Sequence, residues 1–572
     1  MSSEMINGAR MLLECLHRAG VTDMFGYPGG AVIPIYDEIY SFDKIKHYFA
    51  RHEQGAVHAA DGYARVSGKV GVCLATSGPG ATNLVTGIMT AHMDSIPLLA
   101  ITGQVRSSLL GRDAFQETDI VGITVPITKG NYLVQNIKDI PRIIKEAYFI
   151  ASTGRPGPVL VDIPNDIQQQ EISYEEFNKL FDKKVQLEGY DPTYVGHPVQ
   201  IKRALSLIKK AKKPLIIAGA GVIKSGASKE LFELANKMDM PVTTTLLGLG
   251  AFPENHELSL GMLGMHGTVP ANYATDEADL VIAAGIRFDD RIAGNPSKFC
   301  EHAKIIHIDI DPAEIDKNKK ADVPIVGDLK NVLSEINKEL EPQDHKEWTD
   351  KVKEWKKEYP LAHRDVGKDK LLPQEVLKAI NDILDGDAIV VTDVGQHQMW
   401  AAQYMTYKNA NSIVTSGGAG TMGFGMPAAI GAQLGARDKK VVLIVGDGGF
   451  QMTIEEIMMI KQYNLPVKVV IINNSFLGMV RQWQELFKDR RYSFVDLECN
   501  PDFVKIADAY GIKAERLQTK ADLENKLKDL ILSDEGVILD CIVEREENVF
   551  PMIPAGKTVS QMIGKKGVLE ND

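Results

Sequence analysis

Val441-Val-Leu-Ile-Val-Gly-Asp-Gly-Gly-Phe450 and, beyond an amphipathic segment, Val467-Lys-Val-Val-Ile-Ile-Asn-Asn-Ser-Phe-Leu-Gly-Met-Val480 decide how this 572-residue chain is read. Each opens as a short apolar run of strand length and ends in glycine or amide residues. As adjacent parallel strands they would set Asp447 and Asn474 side by side at their carboxyl ends, the usual ligand edge of such a sheet. One carboxylate and one amide oxygen, with the Phe476 carbonyl as a third donor, suit Mg²⁺. That ion takes few protein ligands and fills its octahedron with phosphate oxygens and water. Gly448, Gly449 and Gly478 let backbone N–H groups approach phosphates with no Cβ in the way. The pattern predicts a diphosphate and its metal at this edge. Gly-Asp-Gly alone equally describes an ordinary strand-turn-helix with a solvated aspartate; the strand ending in Asn-Asn about one βαβ unit later separates the two readings.

Together the two stretches resemble the thiamin diphosphate fingerprint, which demands a partner glutamate elsewhere. Glu53 answers it, in Arg51-His-Glu-Gln-Gly-Ala56, after an expected strand and at the start of a small-residue helix. The cofactor becomes reactive when a carboxyl group hydrogen-bonds its pyrimidine nitrogen, so this glutamate should be buried among apolar groups and share a proton with the ring. The alternative is a first-turn glutamate favoured by the helix dipole.

Further motifs run the length of the chain: Phe25-Gly-Tyr-Pro-Gly-Gly30, Ser77-Gly-Pro-Gly-Ala-Thr-Asn83, Asp113-Ala-Phe-Gln-Glu117, Gly154-Arg-Pro-Gly-Pro-Val159, Gly264-Met-His-Gly267, Arg287-Phe-Asp-Asp-Arg291, Gly417-Gly-Ala-Gly-Thr-Met-Gly423 and Met479-Val-Arg-Gln-Trp-Gln484. On these the chain resembles the catalytic subunits of the acetohydroxyacid synthase family over nearly all its residues. The resemblance implies an α/β protein of three doubly wound domains with parallel, six-stranded-type sheets, the thiamin diphosphate-binding fold. It also implies decarboxylation of pyruvate and ligation of the remaining two-carbon unit to a second 2-oxo acid. The products would be 2-acetolactate, or 2-aceto-2-hydroxybutyrate from 2-oxobutyrate, in branched-chain amino-acid biosynthesis.

Residue by residue, the resemblance places Gly30, Glu53, Pro79 and Asn83 of the first domain around thiamin diphosphate. From the third domain it adds Gly395, Gln396, His397, Met422, Gly448, Gly449, Gly478 and Met479, with Asp447, Asn474 and Phe476 on the metal. Met422 would hold the cofactor bent, Glu53 would activate it, and Gln116 would face it; an ordinary core methionine is the plainer reading of Met422. Because Glu53 and the metal ligands fall on different domains, the site is expected where the first domain of one subunit meets the third of another, in a homodimer or a tetramer. Arg291 would anchor the acceptor's carboxylate, and Trp483, Val480 and Phe115 would line room for its extra methyl. Read without the resemblance, Arg291 is a surface ion-pair partner and Trp483 a core residue. Lys129 is read as a second cofactor-face group or a surface cation.

The Arg287–Arg291 motif accompanies FAD in this family, so FAD is expected, in a structural role. Its contacts by resemblance are Arg155, Gly219, Ala220, Gly221, Met265, His266, Gly285, Arg287, Asp289, Arg291, Asp309 and Asp328. Ala218-Gly-Ala-Gly-Val222 also fits a plain tight turn. A small regulatory subunit is common in the family. Asn165 stands where many relatives have lysine, and Ala419 where leucine is usual. A pyruvate oxidase or another thiamin diphosphate carboligase, and a non-catalytic nucleotide-binding scaffold, are the competing functions.

Composition sets outer limits. The length implies several cores, and a formal net charge of −12 argues against nucleic acid or a membrane surface as partner. Five scattered cysteines without a Cys-x-x-Cys pair suggest buried thiols in a reducing compartment. Met1 to Gly20 reads as a surface helix rather than a targeting peptide, and no apolar run reaches membrane length; a cytoplasmic protein is expected. The expected divisions are 1–170 (pyrimidine-binding), 195–340 (FAD-associated), 371–549 (diphosphate- and metal-binding) and a tail, 550–572, with polar Gln168–Pro198 as a connector. The charged run from Asn331 to Lys368 should be a solvated helical exit.

Overall fold

The apolar runs pair as parallel strands. In the computed structural model, which describes residues 4–568, they build three six-stranded sheets, each covered by helices. Strands buried on both faces have no polar side to display, and this is why they read as continuous apolar runs rather than alternating ones. The first sheet lies in the order Lys46–Phe49, Asp23–Gly26, Gly71–Ala75, Leu98–Gln104, Pro158–Pro164, Gly130–Leu133. The third runs Ile413–Val414, Ile389–Thr392, Val441–Gly446, Lys468–Asn473, Val537–Ile542, Lys513–Leu517. Numbered along the chain, both are 2-1-3-4-6-5, so the third unit repeats the first. The middle sheet runs Ser259–Met262, Val242–Thr244, Pro214–Ala218, Leu280–Ala284, Lys304–Asp309, Val323–Val326. Its order, 3-2-1-4-5-6, is that of dinucleotide-binding sheets.

Where strand order reverses beside the first strand, a crevice opens at the carboxyl ends of two neighbouring strands. In the third sheet the crevice lies between Ile389–Thr392 and Val441–Gly446; in the middle sheet it lies between Pro214–Ala218 and Leu280–Ala284. Residues 393–397, 446–449, 219–221 and 285 begin where these strands stop.

The first and third units pack through helices Glu53–Ser67 and Gly425–Gly435. A Cβ on Gly62 would run into the Ala428 backbone, and one on Gly431 into the Ala59 carbonyl. Glycine is needed because the two backbones touch. Their shared core includes Ala56, Ala60, Phe424 and Ala428.

Four expectations need correction. The N-terminal segment begins with a strand, Met5–Asn7, paired antiparallel to Glu171–Ser173. The helix after it, Gly8–Arg18, buries Ala9, Met11, Leu12, Leu13, Cys15 and Leu16, so it is a core helix with one charged stripe. The stretch 168–198 is not wholly a connector: it supplies Glu171–Ser173 and the helix Tyr174–Phe181, whose Phe177 is fully buried. Lys129 donates to the carbonyls of Ile150 and Thr153 and to the Tyr190 hydroxyl; it ties a turn together and is not a free surface cation. Cys499 is exposed, whereas Cys15, Cys73, Cys300 and Cys541 are buried.

The charged run after Asn331 contains helix Lys346–Glu358, which keeps Trp348 and Trp355 inside and Lys346 and Lys357 outside. The tail returns to the middle unit: the Ile553 N–H donates to the Met265 carbonyl at 2.8 Å, and Met552 bridges to Ile563. Residues 569–572 of the tail and residues 1–3 lie outside the described residues.

Candidate active site

Gly446 pairs in register with Ile472, one position before Asn473. Asp447 and Asn474 therefore leave neighbouring strands within one position of each other and enter one cavity of about 740 Å³. Gly395, Gln396, His397, Met422, Gly448, Gly449, Phe476, Gly478, Met479, Val480 and Trp483 share its wall. Helices Gln396–Tyr404 and Gly478–Phe487 start at this wall with no side chain capping their first N–H groups. Uncapped N-termini facing a cavity are anion sites.

The site is tuned by burial. Asp447 is 1 % exposed, and desolvation pushes its carboxyl up to about 6 against the hydrogen bond from Asn500, which pulls it down. The Asn500 amide donates to Asp447 Oδ2 at 2.6 Å and accepts from Gln451 through its own oxygen at 3.0 Å. Asn474 Oδ1 accepts the Phe476 N–H at 3.1 Å, and its amide leans toward Gln396 Oε1 at 3.3 Å. Gln396 is fixed in turn by Gln482 and the Glu547 carbonyl. Buried His397 is held neutral, pushed down to about 3 by desolvation, and its Nε2 has no partner.

These features fit a bound diphosphate and a hard cation. Among the described residues no group of three or more His, Cys, Asp or Glu is placed to hold a metal. A cation at Asp447 and Asn474 would therefore need phosphate oxygens to complete its shell, which is how Mg²⁺ behaves.

The loop carrying Met422 is fastened at both ends. Asp393, fully buried and pushed up to about 6 by desolvation, accepts the N–H groups of Gly423 and Gly425 at 3.0 and 2.8 Å. Asp94 accepts those of Gly417 and Gly418 at 3.1 and 2.7 Å. Ala419 lies on the cavity wall between these anchors.

The cavity continues onto the middle unit, past Arg155, Ala220, Gly221, Met265, His266, Gly285, Arg287, Asp289, Arg291, Asp309 and Asp328. Gly219 stands just behind this wall; a Cβ there would strike the Gly285 carbonyl. Gly285 itself has φ +63°, a left-handed conformation suited to glycine. The buried His266 leaves Nδ1 without a partner and is pushed down to about 4 by burial. Burial lifts Asp309 to about 6. A switch-point crevice, two glycine turns and an unpartnered imidazole fit a dinucleotide. Arg155, however, already serves Asp311 and Glu314 at 3.0 and 2.7 Å, so much of its charge is neutralised before any ligand arrives. Arg291 is largely exposed, with Asp290 at 3.9 Å.

Glu53 lies outside this cavity. It is nearly buried, at the first position of its helix, and Oε2 accepts the Asn83 amide at 3.0 Å. Glu456 of the third unit accepts the N–H groups of Arg51 and His52 and so fixes the turn that aims Glu53. Gly30, Pro79, Phe115 and Gln116 also lie off the cavity wall. Phe115 is 88 % exposed, and Gln116 has φ +60° and packs on Gly78. Asn165 reaches the Ala31 carbonyl at 3.4 Å, beside Gly30. One chain thus presents two separate groups of the expected residues. Sequence reading missed Asp94, Asp393, Glu456 and Asn500; each acts on residues distant in the chain, and no local sequence signal marks them.

Known protein families match the chain in its three parts. The thiamine pyrophosphate enzyme models match in three parts: the N-terminal TPP binding domain over residues 6–123, the central domain over 201–336 and the C-terminal TPP binding domain over 393–541. The chain belongs to the thiamine pyrophosphate enzymes. It is 49 % identical to the acetolactate synthase large subunit of Lactococcus lactis, across 99 % of this chain and 97 % of that one. It is 48 % identical to the probable acetolactate synthase large subunit of Methanocaldococcus jannaschii, across 98 % and 95 %. To the Corynebacterium glutamicum large subunit it is also 48 % identical, across 98 % and 90 %. Within the thiamine pyrophosphate enzymes, it belongs to the acetolactate synthase large-subunit family.

Proposed function

We propose that this protein is a thiamin diphosphate-dependent carboligase that decarboxylates pyruvate and joins the two-carbon remainder to a second 2-oxo acid. The products are 2-acetolactate and, from 2-oxobutyrate, 2-aceto-2-hydroxybutyrate, which feed branched-chain amino-acid biosynthesis. The observation that carries the reading is the meeting of Asp447 and Asn474 at adjacent strand ends, in a cavity with uncapped helix N-termini.

When bound, thiamin diphosphate supplies the electron sink that lets a 2-oxo acid lose CO₂. The chain supplies position and charge. Asp447, Asn474 and the Phe476 carbonyl would hold Mg²⁺ against the diphosphate, and the N–H groups opening helix Gly478–Phe487 would meet its oxygens. Met422, on a loop clamped by two buried carboxylates, would support the folded cofactor. Glu53 would hold a proton at the pyrimidine nitrogen. Arg291, free enough to turn inward, would take the acceptor's carboxylate, while Trp483 and Val480 bound the space for its alkyl group. The low-dielectric wall strengthens each of these contacts.

FAD fits the middle-unit part of the cavity and would act structurally, since carboligation needs no redox step. Glu53, Phe115 and Gln116 lie off the wall that holds Asp447 and a second copy would bring them to it, which supports a homodimer, or a tetramer of two such pairs. The name "large subunit" borne by relatives supports a small regulatory partner. No helix among the described residues is long and apolar enough to cross a membrane; that and the acidic composition support a cytoplasmic setting.

The test is direct. The purified protein is scanned for flavin absorbance, then given pyruvate with and without thiamin diphosphate and Mg²⁺. Acetolactate that requires both cofactors is expected. Oxygen-dependent acetyl phosphate in its place, or no product, would overturn the reading.

A further inference from the structure

Three consecutive residues at the end of helix Val85–Met93 are held from three directions. The Met93 carbonyl accepts Arg287 Nη1 at 2.8 Å. The Asp94 carboxylate, 3 % exposed, accepts Arg65 Nη2 at 2.9 Å as well as the Gly417 and Gly418 N–H groups. Ser95, at φ 57°, accepts Arg155 Nε on its hydroxyl at 2.8 Å and Lys224 Nζ on its carbonyl at 2.9 Å. Arg287 and Lys224 belong to the middle unit and line the expected dinucleotide region; Arg155 lines it too. Gly417 and Gly418 begin the loop that leads to Met422. The same helix grips that loop a second time, where Thr90 Oγ1 meets Thr421 Oγ1 at 2.7 Å in a buried pair. Arg65 completes the joint by reaching the Thr415 carbonyl at 2.8 Å.

We propose that Asp94 is a positioning residue that couples the two ends of the cavity. Phosphates bound on the middle unit would draw on Arg287 and Lys224, which hold the Met93 and Ser95 carbonyls, while Arg155, already paired with Asp311 and Glu314, fixes the Ser95 hydroxyl. Once those cations are set, the turn at Asp94 is set, and with it the Gly417–Met422 loop on which thiamin diphosphate rests. FAD and thiamin diphosphate therefore bind with positive cooperativity, each lowering the ordering cost met by the other. This gives a redox-idle flavin a definite task. The inference rests on the cofactor assignment of the preceding section and goes beyond it in naming the connecting residue.

A double titration of the full-length protein, freed of cofactors, tests it. Thiamin diphosphate with Mg²⁺ is titrated with and without saturating FAD, following tryptophan fluorescence, since Trp483 lines the cavity. In the unaltered protein FAD is expected to tighten thiamin diphosphate binding by about 5- to 150-fold, and thiamin diphosphate to tighten FAD by the same factor. Asp94→Asn, which keeps the shape but loses the charge that holds Arg65 and one acceptor oxygen, should bring that ratio toward one. FAD binding to Asp94→Asn alone should stay close to that of the unaltered protein. Thr90→Val, which leaves the carboxylate joint intact, is the second variant, for the case in which Asp94→Asn does not fold; it should reduce the ratio in part. Both cofactors binding with no coupling, or a ratio unchanged in both variants, would overturn the role of Asp94 while leaving the cofactor assignment standing. Failure of the unaltered protein to bind either cofactor would overturn both.

Discussion

Asn500 donates its side-chain amide to Asp447 Oδ2 at 2.6 Å, from 53 positions further along the chain. A carboxylate at the tip of a strand can rotate; with one oxygen engaged, the other is aimed. Residues behind a metal ligand set its orientation and typically change affinity by about 10- to 100-fold when removed. Asn500→Ala is expected to raise the Mg²⁺ concentration needed for half-maximal thiamin diphosphate binding within that range, with full binding recovered at excess Mg²⁺. Unchanged Mg²⁺ dependence would leave Asn500 a surface residue.

Glu53 sits nearly buried beside Asn83 with its helix fixed by Glu456. Glu53→Gln keeps the shape and the Asn83 contact but removes the exchangeable proton. Acetolactate formation should drop by about 10² to 10⁴, the usual range for a lost proton-transfer group, with cofactor binding retained. Unchanged turnover in an acetolactate assay would remove Glu53 from the activating role.

Trp483 lies on the cavity wall, tilted against Phe487 at 5.2 Å between ring centroids. An added methylene on the acceptor is worth about 1 to 3 kcal/mol against such a surface. Trp483→Leu should narrow the preference for 2-oxobutyrate over pyruvate by about tenfold, read as the product ratio in a competition assay. A constant ratio would assign the choice elsewhere.

Glu456 is fully buried, and desolvation raises its carboxyl to about 7 although the Arg51 and His52 N–H groups pull it down. The folded protein then holds this proton more tightly than the unfolded chain. Its stabilising contribution is complete below about pH 4.5 and declines as pH rises through 7. Thermal unfolding should show that decline, and Glu456→Gln, which cannot ionise, should show a flatter profile over the same window. Parallel profiles would place the titration at another group.

Gly431 lies where helix Gly425–Gly435 meets the Ala59 carbonyl. Gly431→Ala forces the helices apart at an overpacking cost of about 1 to 3 kcal/mol. A drop of several degrees in apparent melting temperature is expected, alongside weaker burial of the Glu53 turn. An unaltered melting curve would mean that the helices can separate without loss.

Much of the architecture was legible because buried parallel strands announce themselves: Val441–Val445 and Val467–Ile472 are apolar at every position but Lys468. Sheet order was not legible, since it depends on crossovers that leave no local mark. That Asp447, Asn474 and the glycines would share one cavity was readable because each ends an apolar strand or follows one closely in sequence. Asp94 and Asp393 were not: each accepts N–H groups about 30 or more positions away, and each looks locally like a helix-end or turn aspartate. The N-terminal helix reads as a surface element because Glu4, Arg10, Glu14 and Arg18 alternate with its apolar positions at helical spacing; how fully that apolar face is buried depends on the helices and strands packed against it.

The separation of Glu53 from the cavity that holds Asp447 bears on genetics as well as catalysis. Two inactive alleles, one altered at Glu53 and the other at Asp447, should rescue each other when expressed together. A mixed pair would carry one doubly damaged centre and one intact centre, and random pairing would restore about a quarter of normal output.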